Sequence, residues 1–235
     1  MKVLSIAAKA IFIFSLPCLL ITSSLVWAIN SLWLYNYGFE KYNISQTTNI
    51  SQVELEKAAK GLITYFNSDE EYILLTVVKD GESFELFNQR EVIHMKDVKG
   101  LVWLVYRLWF GTLIYTAIYA GISLFWQKRR HWRRLAWGVV IGTGSLLAVM
   151  MAVGLMALLN FDWFFLQFHF QFFTNDFWQL DPSRDYLIML FPQGFFYDAA
   201  RFCGMLIIGA TGTLLGVAAI YLRRHRRKEA EIVGL

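Results

Sequence analysis

The chain carries four histidines, the side chains that titrate nearest neutral pH. His131 and His225 lie within runs of Lys and Arg and read as parts of solvated basic segments. His94 and His169 are placed differently, each in a mixed stretch that borders a long apolar one. His94 belongs to Arg90-Glu91-Val92-Ile93-His94-Met95-Lys96-Asp97-Val98-Lys99. On a helix Arg90, His94 and Asp97 share one face, which puts Asp97 in reach to orient the imidazole and fix its tautomer. The competing reading is a polar helix surface. His169 sits in Phe168-His169-Phe170-Gln171-Phe172-Phe173. An imidazole among phenyl rings is either an interfacial side chain reaching for water or a catalytic group at a lipid-facing pocket. Two imidazoles at one membrane face can serve as base, acid or hydrogen-bond donor.

Arg107 interrupts an apolar run. An intramembrane charge is a functional candidate by default, with snorkelling to the interface as the alternative. Arg201 stands three residues after Asp198 and can pair with it. Arg107 and Arg201 are therefore candidate oxyanion holders, and Asp97 a candidate orienting group. The motifs GxSxG, HExxH, the phosphate loop and GxGxxG are all missing. Cys18 and Cys203 fall inside apolar runs and read as small core residues. No metal site is expected, because no paired ligand spacing supports one.

These groups must be positioned by membrane helices. Of the 235 residues, 57% are hydrophobic, above the usual share for a soluble domain. Four apolar runs account for this: Ala10 to Leu34, Leu101 to Trp126, Leu135 to Leu159 and Phe202 to Leu222. Each is long enough to cross a hydrocarbon core of about 30 Å. The first is read as an uncleaved anchor, since it is long for a signal peptide. Lys128, Arg129, Arg130, Arg133 and Arg134 follow the second run, and Arg223, Arg224, Arg226, Arg227 and Lys228 follow the fourth. With Lys2 and Lys9, these put both termini in the cytoplasm. The segment 36–100 carries 11 acids and 7 bases, and 160–201 carries 5 acids and 2 bases. The net charge of +4 is therefore misleading, and the basic tail reads as a topology signal with some attraction to anionic lipid. Nucleic-acid binding is not expected.

Ser51 and Glu54 make a capping box before an amphipathic helix with Leu55, Ala59, Leu62 and Phe66 on one face. The stretches 71–78 and 82–87 flank Asp80-Gly81 and predict a β-hairpin. Asn88 and Glu91 signal a second helix start leading into the second span, with Gly100 near the join. Asn43-Ile44-Ser45 and Asn49-Ile50-Ser51 match glycosylation sequons, a pattern that also arises by chance. The aromatic stretch 161–178 fits the membrane interface; its periodicity admits either an extended piece or a helix. The expected fold class is an α-helical membrane protein: four transmembrane helices, a small α+β extracytoplasmic cap and an aromatic-rich interfacial loop. The expected division is 1–35 (N-terminus and first span), 36–100 (cap), 101–160 (second and third spans with their basic loop), 161–201 (interfacial loop) and 202–235 (fourth span and basic tail).

The chain resembles the bacterial lipoprotein intramolecular transacylases, small four-span membrane proteins. The carrying residues are Arg90-Glu91, His94-Met95 and Asp97-Val98-Lys99, then Phe168-His169, Phe172-Phe173, Asn175-Asp176-Phe177-Trp178 and Leu180-Asp181-Pro182. Asp185, Leu187-Ile188 and Leu190-Phe191-Pro192 continue the pattern. The likeness extends from about Ala10 to Leu222. The resemblance implies a substrate, a lipoprotein whose N-terminal cysteine bears an S-diacylglyceryl group. It implies transfer of the sn-2 acyl chain to that cysteine's α-amino group, giving the lyso form. It also implies two essential histidines, matching His94 and His169. Aminolysis of an ester runs downhill to the amide and needs no nucleotide or redox cofactor. Competing expectations are a metal-assisted membrane hydrolase and a non-enzymatic scaffold or sensor that binds a partner through its outer cap.

Overall fold

The computed structural model describes residues 2–126 and 130–233, and side chains within 6–125 and 131–226. Lys128 and Arg129, and the side chains of Lys2, Arg130, Arg227 and Lys228, which entered the topology reading, lie outside the described residues. In chain order the elements are α1 (Lys2–Asn30), α2 (Leu32–Lys41), α3 (Ile44–Thr48), α4 (Gln52–Phe66), β1 (Thr76–Lys79), β2 (Glu82–Glu85), α5 (Gln89–Gly121), a π-helical turn (Ile122–Trp126), α6 (Arg130–Leu159), α7 (Phe161–Phe172), α8 (Tyr186–Leu190) and α9 (Gln193–Val233). Four stretches within α1, α5, α6 and α9 with the π-helical turn are long and apolar enough to cross a membrane: Ile6–Asn30, Gln89–Phe125, His131–Leu159 and Gln193–Arg226. The chain divides into two compact units, Met1–Leu25 with Tyr106–Leu155 and Cys203–Leu235, and Val26–Val105 with Met156–Phe202.

The first unit is built from the spanning helices. Pro17 lies inside α1. Having no N–H, it leaves the carbonyl four residues earlier, that of Ile13, without its helical donor. Gly142 of α6 faces that carbonyl: a Cβ there would lie 2.9 Å from the Ile13 oxygen. Glycine thus permits close helix approach where α1 is irregular. Phe12 stacks on Tyr119 with 4.6 Å between ring centroids. The Tyr115 hydroxyl donates to the Ala8 carbonyl at 2.8 Å, and Trp109 Nε1 donates to Ser23 Oγ at 3.1 Å. Both cysteines are free; Cys203 Sγ contacts the Ser24 carbonyl at 3.5 Å. Gly142→Ala is expected to cost about 1–3 kcal/mol by overpacking, read as a lower melting midpoint in detergent. Gly144→Ala is the comparison, because a Cβ at Gly144 meets nothing within 4 Å; an unchanged midpoint for both would refute the close approach.

The second unit holds the cap. Ser31 breaks α1 from α2, a helix that hydropathy alone did not separate from the first span. Asn43 and Asn49 bracket α3 with φ of 52° and 60°, the left-handed region that Asn tolerates. The two asparagines of the sequons therefore have a backbone role as turn residues. Ser51 caps α4, its Oγ accepting from the Glu54 N–H at 3.4 Å. The expected reciprocal half of that box does not form. The Glu54 carboxylate accepts from the Val78 N–H at 2.8 Å instead, tying α4 to β1, and that bond holds its pKa below the usual carboxylate value. Leu55, Ala59, Leu62 and Phe66 are buried as the face predicted.

The hairpin forms around Asp80 and Gly81, both at positive φ, the backbone that a tight hairpin turn requires. Its strands are shorter than expected, pairing Thr76 with Glu85 and Lys79 with Glu82. Beyond them a Leu86 N–H to Leu75 carbonyl bond of 2.8 Å continues the pairing. α5 runs through Gly100 without a break. The aromatic stretch is helical over α7, and Asn160 caps it by accepting from the Trp163 N–H at 3.0 Å. Once that cap is made, 3.6-residue winding prevails over the extended alternative.

Candidate active site

Every group at this site comes from the second unit. His94 is fixed by the start of α5, where Asn88 and Glu91 form a full capping box. Asn88 Oδ1 accepts from the backbone N–H groups of Arg90 (2.9 Å) and Glu91 (3.2 Å), and Glu91 Oε2 accepts from the Asn88 N–H (2.8 Å). Glu91 is only 1% exposed, and its other oxygen accepts from the Leu187 N–H at 2.6 Å. Asn88 Nδ2 donates to Asp185 at 2.9 Å, and Asp185 accepts in turn from the Asp181 N–H at 2.7 Å. The first turn of α5 is thereby joined to the N-terminus of α8.

His169 lies near the end of α7. The two imidazoles are 6% and 7% exposed, and their ring centroids are 6.1 Å apart. The structure therefore brings together two histidines separated by 75 positions in the sequence. Phe173 packs against both, 4.9 Å from the ring of His94 and 5.5 Å from that of His169. Phe165 (4.4 Å), Phe168 (5.4 Å) and Trp178 (5.0 Å) complete the wall around His169.

Hydrogen bonding distinguishes the two rings. His169 Nδ1 lies 2.7 Å from the Phe165 carbonyl. A carbonyl oxygen only accepts, so Nδ1 carries the proton and Nε2 presents its lone pair. Burial pushes the His169 pKa below the ordinary histidine value, with the bond to Phe165 opposing it. Burial thus favours the neutral ring. His94 Nδ1 is buried and has no hydrogen-bond partner. A buried polar atom left unpaired costs about 1–3 kcal/mol, a cost that a substrate contact would remove.

The other sequence candidates are distributed differently. Asp97 does not hold the His94 imidazole; its carboxylate accepts from Asn175 Nδ2 at 2.8 Å. Arg201 is 59% exposed and pairs with Asp198, Nη1 to Oδ1 at 3.6 Å. Asp198 also receives Lys41 and the Tyr42 hydroxyl, the latter at 2.7 Å. Arg107 belongs to the spanning unit, where its side chain is exposed.

Sequence reasoning read Glu91 only as a helix-start signal, and missed its bond to Leu187, the bond of Asn175 to Asp97, and the Asp176 carbonyl that accepts from Arg90 Nη2. Arg90 and Asp97 thus fasten the segment Asn175–Asp176 along the α5 face that carries His94. Only the run Asn175-Asp176-Phe177-Trp178 signalled it. Among the described residues, no three His, Cys, Asp or Glu side chains gather as around a metal ion.

What this arrangement can do is proton transfer in an aromatic setting, with a His169 ring whose Nδ1 is committed to a carbonyl and a neighbouring His94 ring whose Nδ1 is uncommitted. A family model described as Lipoprotein intramolecular transacylase Lit matches residues 10–196. Among solved structures, the chain is similar to the membrane integral lipoprotein intramolecular transacylase Lit from Bacillus cereus. That likeness has a TM-score of 0.75 and 20% identity, over 97% of this chain and 100% of that one. Two further structures of the Bacillus cereus protein carry a histidine replaced by arginine or by alanine. Each matches with a TM-score of 0.74, at 21% and 20% identity, over 97% and 96% of this chain and 96% and 97% of those. At such identity the likeness is one of fold. No curated protein matches.

Proposed function

The chain belongs to the lipoprotein intramolecular transacylase family, and from that premise we propose that it moves the sn-2 acyl chain of an S-diacylglyceryl cysteine onto that cysteine's own α-amine. It is a multi-pass membrane enzyme. The observation that carries the finer reading is the pair of buried imidazoles with complementary free edges. Nucleophile and ester are on one substrate, so orientation supplies much of the rate.

In this mechanism the neutral α-amine attacks the acyl carbon, and His169 Nε2 takes a proton from the nitrogen. The carbonyl electrons move to oxygen, then return as the bond from acyl carbon to glycerol oxygen breaks. That oxygen leaves with its electron pair and receives the proton held by His169, either directly or through His94, which gives up one proton and takes that of His169. The products are an amide and a free glycerol hydroxyl. The basic flanks of the spans support a site on the outer membrane face with both termini in the cytoplasm, next to the acyl chains of a membrane-anchored substrate. Membrane lipid and the diacylated lipoprotein are its partners.

Mass spectrometry of a reporter lipoprotein's N-terminal peptide tests this. The reporter is expressed with and without this chain in a bacterium lacking N-acylation. One acyl chain on the amine and one on glycerol, only when the chain is present, is the expected result. An unmodified amine, with the protein confirmed in the membrane, would refute the reaction.

The pH dependence follows from the two groups that must be neutral. An α-amine ordinarily titrates near 7.7–8.0, and His169 titrates below its ordinary value of about 6.5 because it is buried. Both forms are needed unprotonated, so kcat/KM falls as pH drops. The slope of its logarithm is expected to be one from about pH 7.5 to 6.5, steepening to two only at lower pH. Initial rates on a synthetic lipopeptide between pH 5 and 9 check this. A slope of two already present above about pH 6.5 would contradict a neutral His169 base.

A further inference from the structure

Arg90 occupies the helical turn before His94, on the same face of α5. Its guanidinium has five N–H donors. One, on Nη2, is given to the Asp176 carbonyl, and the group lies 5.8 Å from the Phe177 ring centroid. Nε is buried and has no hydrogen-bond partner. Among the described residues, no ion pair joins Arg90 to a carboxylate, whereas Arg184 pairs with Asp181 and Asp185, and Arg201 with Asp198. A half-buried cation without an anion, and with a desolvated donor left over, is a costly arrangement. If Arg90 only fastened the Asn175–Asp176 segment, one N–H would suffice and a neutral side chain would serve as well.

We propose that Arg90 binds the oxyanion of the tetrahedral intermediate, taking the place that the sequence offered to Arg107 or Arg201. This rests on the transacylase reading above. The reaction itself creates an anion that this cation can meet. The carbonyl π pair moves to oxygen as the amine nitrogen bonds to the acyl carbon, and the Nε–H meets that charge. When the intermediate collapses, the pair returns to the carbonyl and the glycerol oxygen leaves with the bonding pair and a proton. Spacing of four residues separates the Cβ atoms of Arg90 and His94 by about 5–6 Å, so both side chains leave neighbouring turns of one face of α5. The unpartnered His94 Nδ1 faces the same demand from the neighbouring turn. Because the ester is neutral and the intermediate is not, the contact strengthens along the reaction and acts on kcat more than on KM. A guanidinium stays charged throughout the working pH range.

The test uses the full chain in membranes and three probes: a diacylated lipopeptide, a lipopeptide with a phosphonate replacing the sn-2 ester, and its neutral sn-2 ether. Arg90→Gln is expected to lower kcat about 100-fold with KM changed less than about 3-fold. The same variant is expected to lose about 100-fold in phosphonate affinity while binding the ether as the wild type does. Equal losses for phosphonate and ether, or an unchanged kcat, would overturn the assignment. Should Arg90→Gln fail to fold, phenylglyoxal labelling of the wild type decides. Saturating phosphonate is expected to slow modification of the Arg90 peptide at least about 10-fold relative to the ether, an estimate from the same donor energetics; equal labelling would overturn the proposal. A wild type that makes no lyso product would refute the transacylase reading itself, whereas an active wild type with an equally active Arg90→Gln refutes only the role of Arg90.

Discussion

His169→Asn is expected to leave the melting midpoint nearly unchanged and to remove lyso-form product, lowering the rate by about 10³-fold or more. The choice of Asn separates two roles. Its side-chain amide stands where Nδ1 stands, and it keeps the donor to the Phe165 carbonyl. It has nothing at the position of Nε2. A histidine retained only to satisfy that carbonyl would tolerate the change; a histidine that supplies a base would not. His94→Leu makes the complementary case. His94 Nδ1 is a buried orphan, so leucine removes an unsatisfied group while giving up a ring contact with Phe173. The first effect is worth about 1–3 kcal/mol and the second about 0.5–1.5 kcal/mol. The midpoint is therefore expected to stay or rise while product disappears, the pattern of a residue kept for activity at a cost in stability. Wild-type product from either variant would remove that residue from the chemistry. Product analysis by mass spectrometry and thermal unfolding in detergent, run on the same preparations, read both quantities.

The spans were legible because hydropathy over 20 or more residues needs no tertiary information. Ser51, Asp80-Gly81 and Asn88 were legible for the opposite reason, since caps and turns are local hydrogen-bond problems. Two contacts that differ from the local reading share a cause. Glu54 left its own cap for Val78, 24 positions away, and Asp97 chose Asn175, 78 positions away, over a histidine one turn distant. A local pattern shows which acceptor is near and cannot show which distant donor competes for it. The pairing of His94 with His169 was likewise out of reach of spacing. Each histidine alone had a bland reading as strong as the functional one. The family resemblance linked them, and their convergence in the fold gives that link a geometry.

Glu91 joins these pieces, and Glu91→Ala is the substitution expected to disturb the fold most at the site. Its carboxylate accepts from the Asn88 and Leu187 N–H groups at 2.8 and 2.6 Å, almost wholly out of water. Hydrogen bonds to a charged group contribute about 1.5–3 kcal/mol each, so losing both is expected to cost about 3–5 kcal/mol with the cavity included. The Leu187 bond ties the first turn of α5 to α8, and the segment 175–185 that lies along the His94 face is anchored at that end. Glu91→Ala should therefore lower the melting midpoint and the rate together, and speed hydrogen exchange at the Leu187 amide. Glu91→Gln is the sharper probe. One amide oxygen replaces two acceptors, and the NH₂ group faces an N–H donor, so most of the loss should remain despite matched shape. Glu91→Leu gives the contrary outcome its chance, because buried ions can sometimes be replaced by apolar groups without loss. A leucine variant with wild-type stability and rate would show that packing alone holds α5 to α8. A leucine variant as damaged as the alanine one would mean that two backbone donors need this carboxylate, and that His94 is held in place by a residue that never meets the substrate.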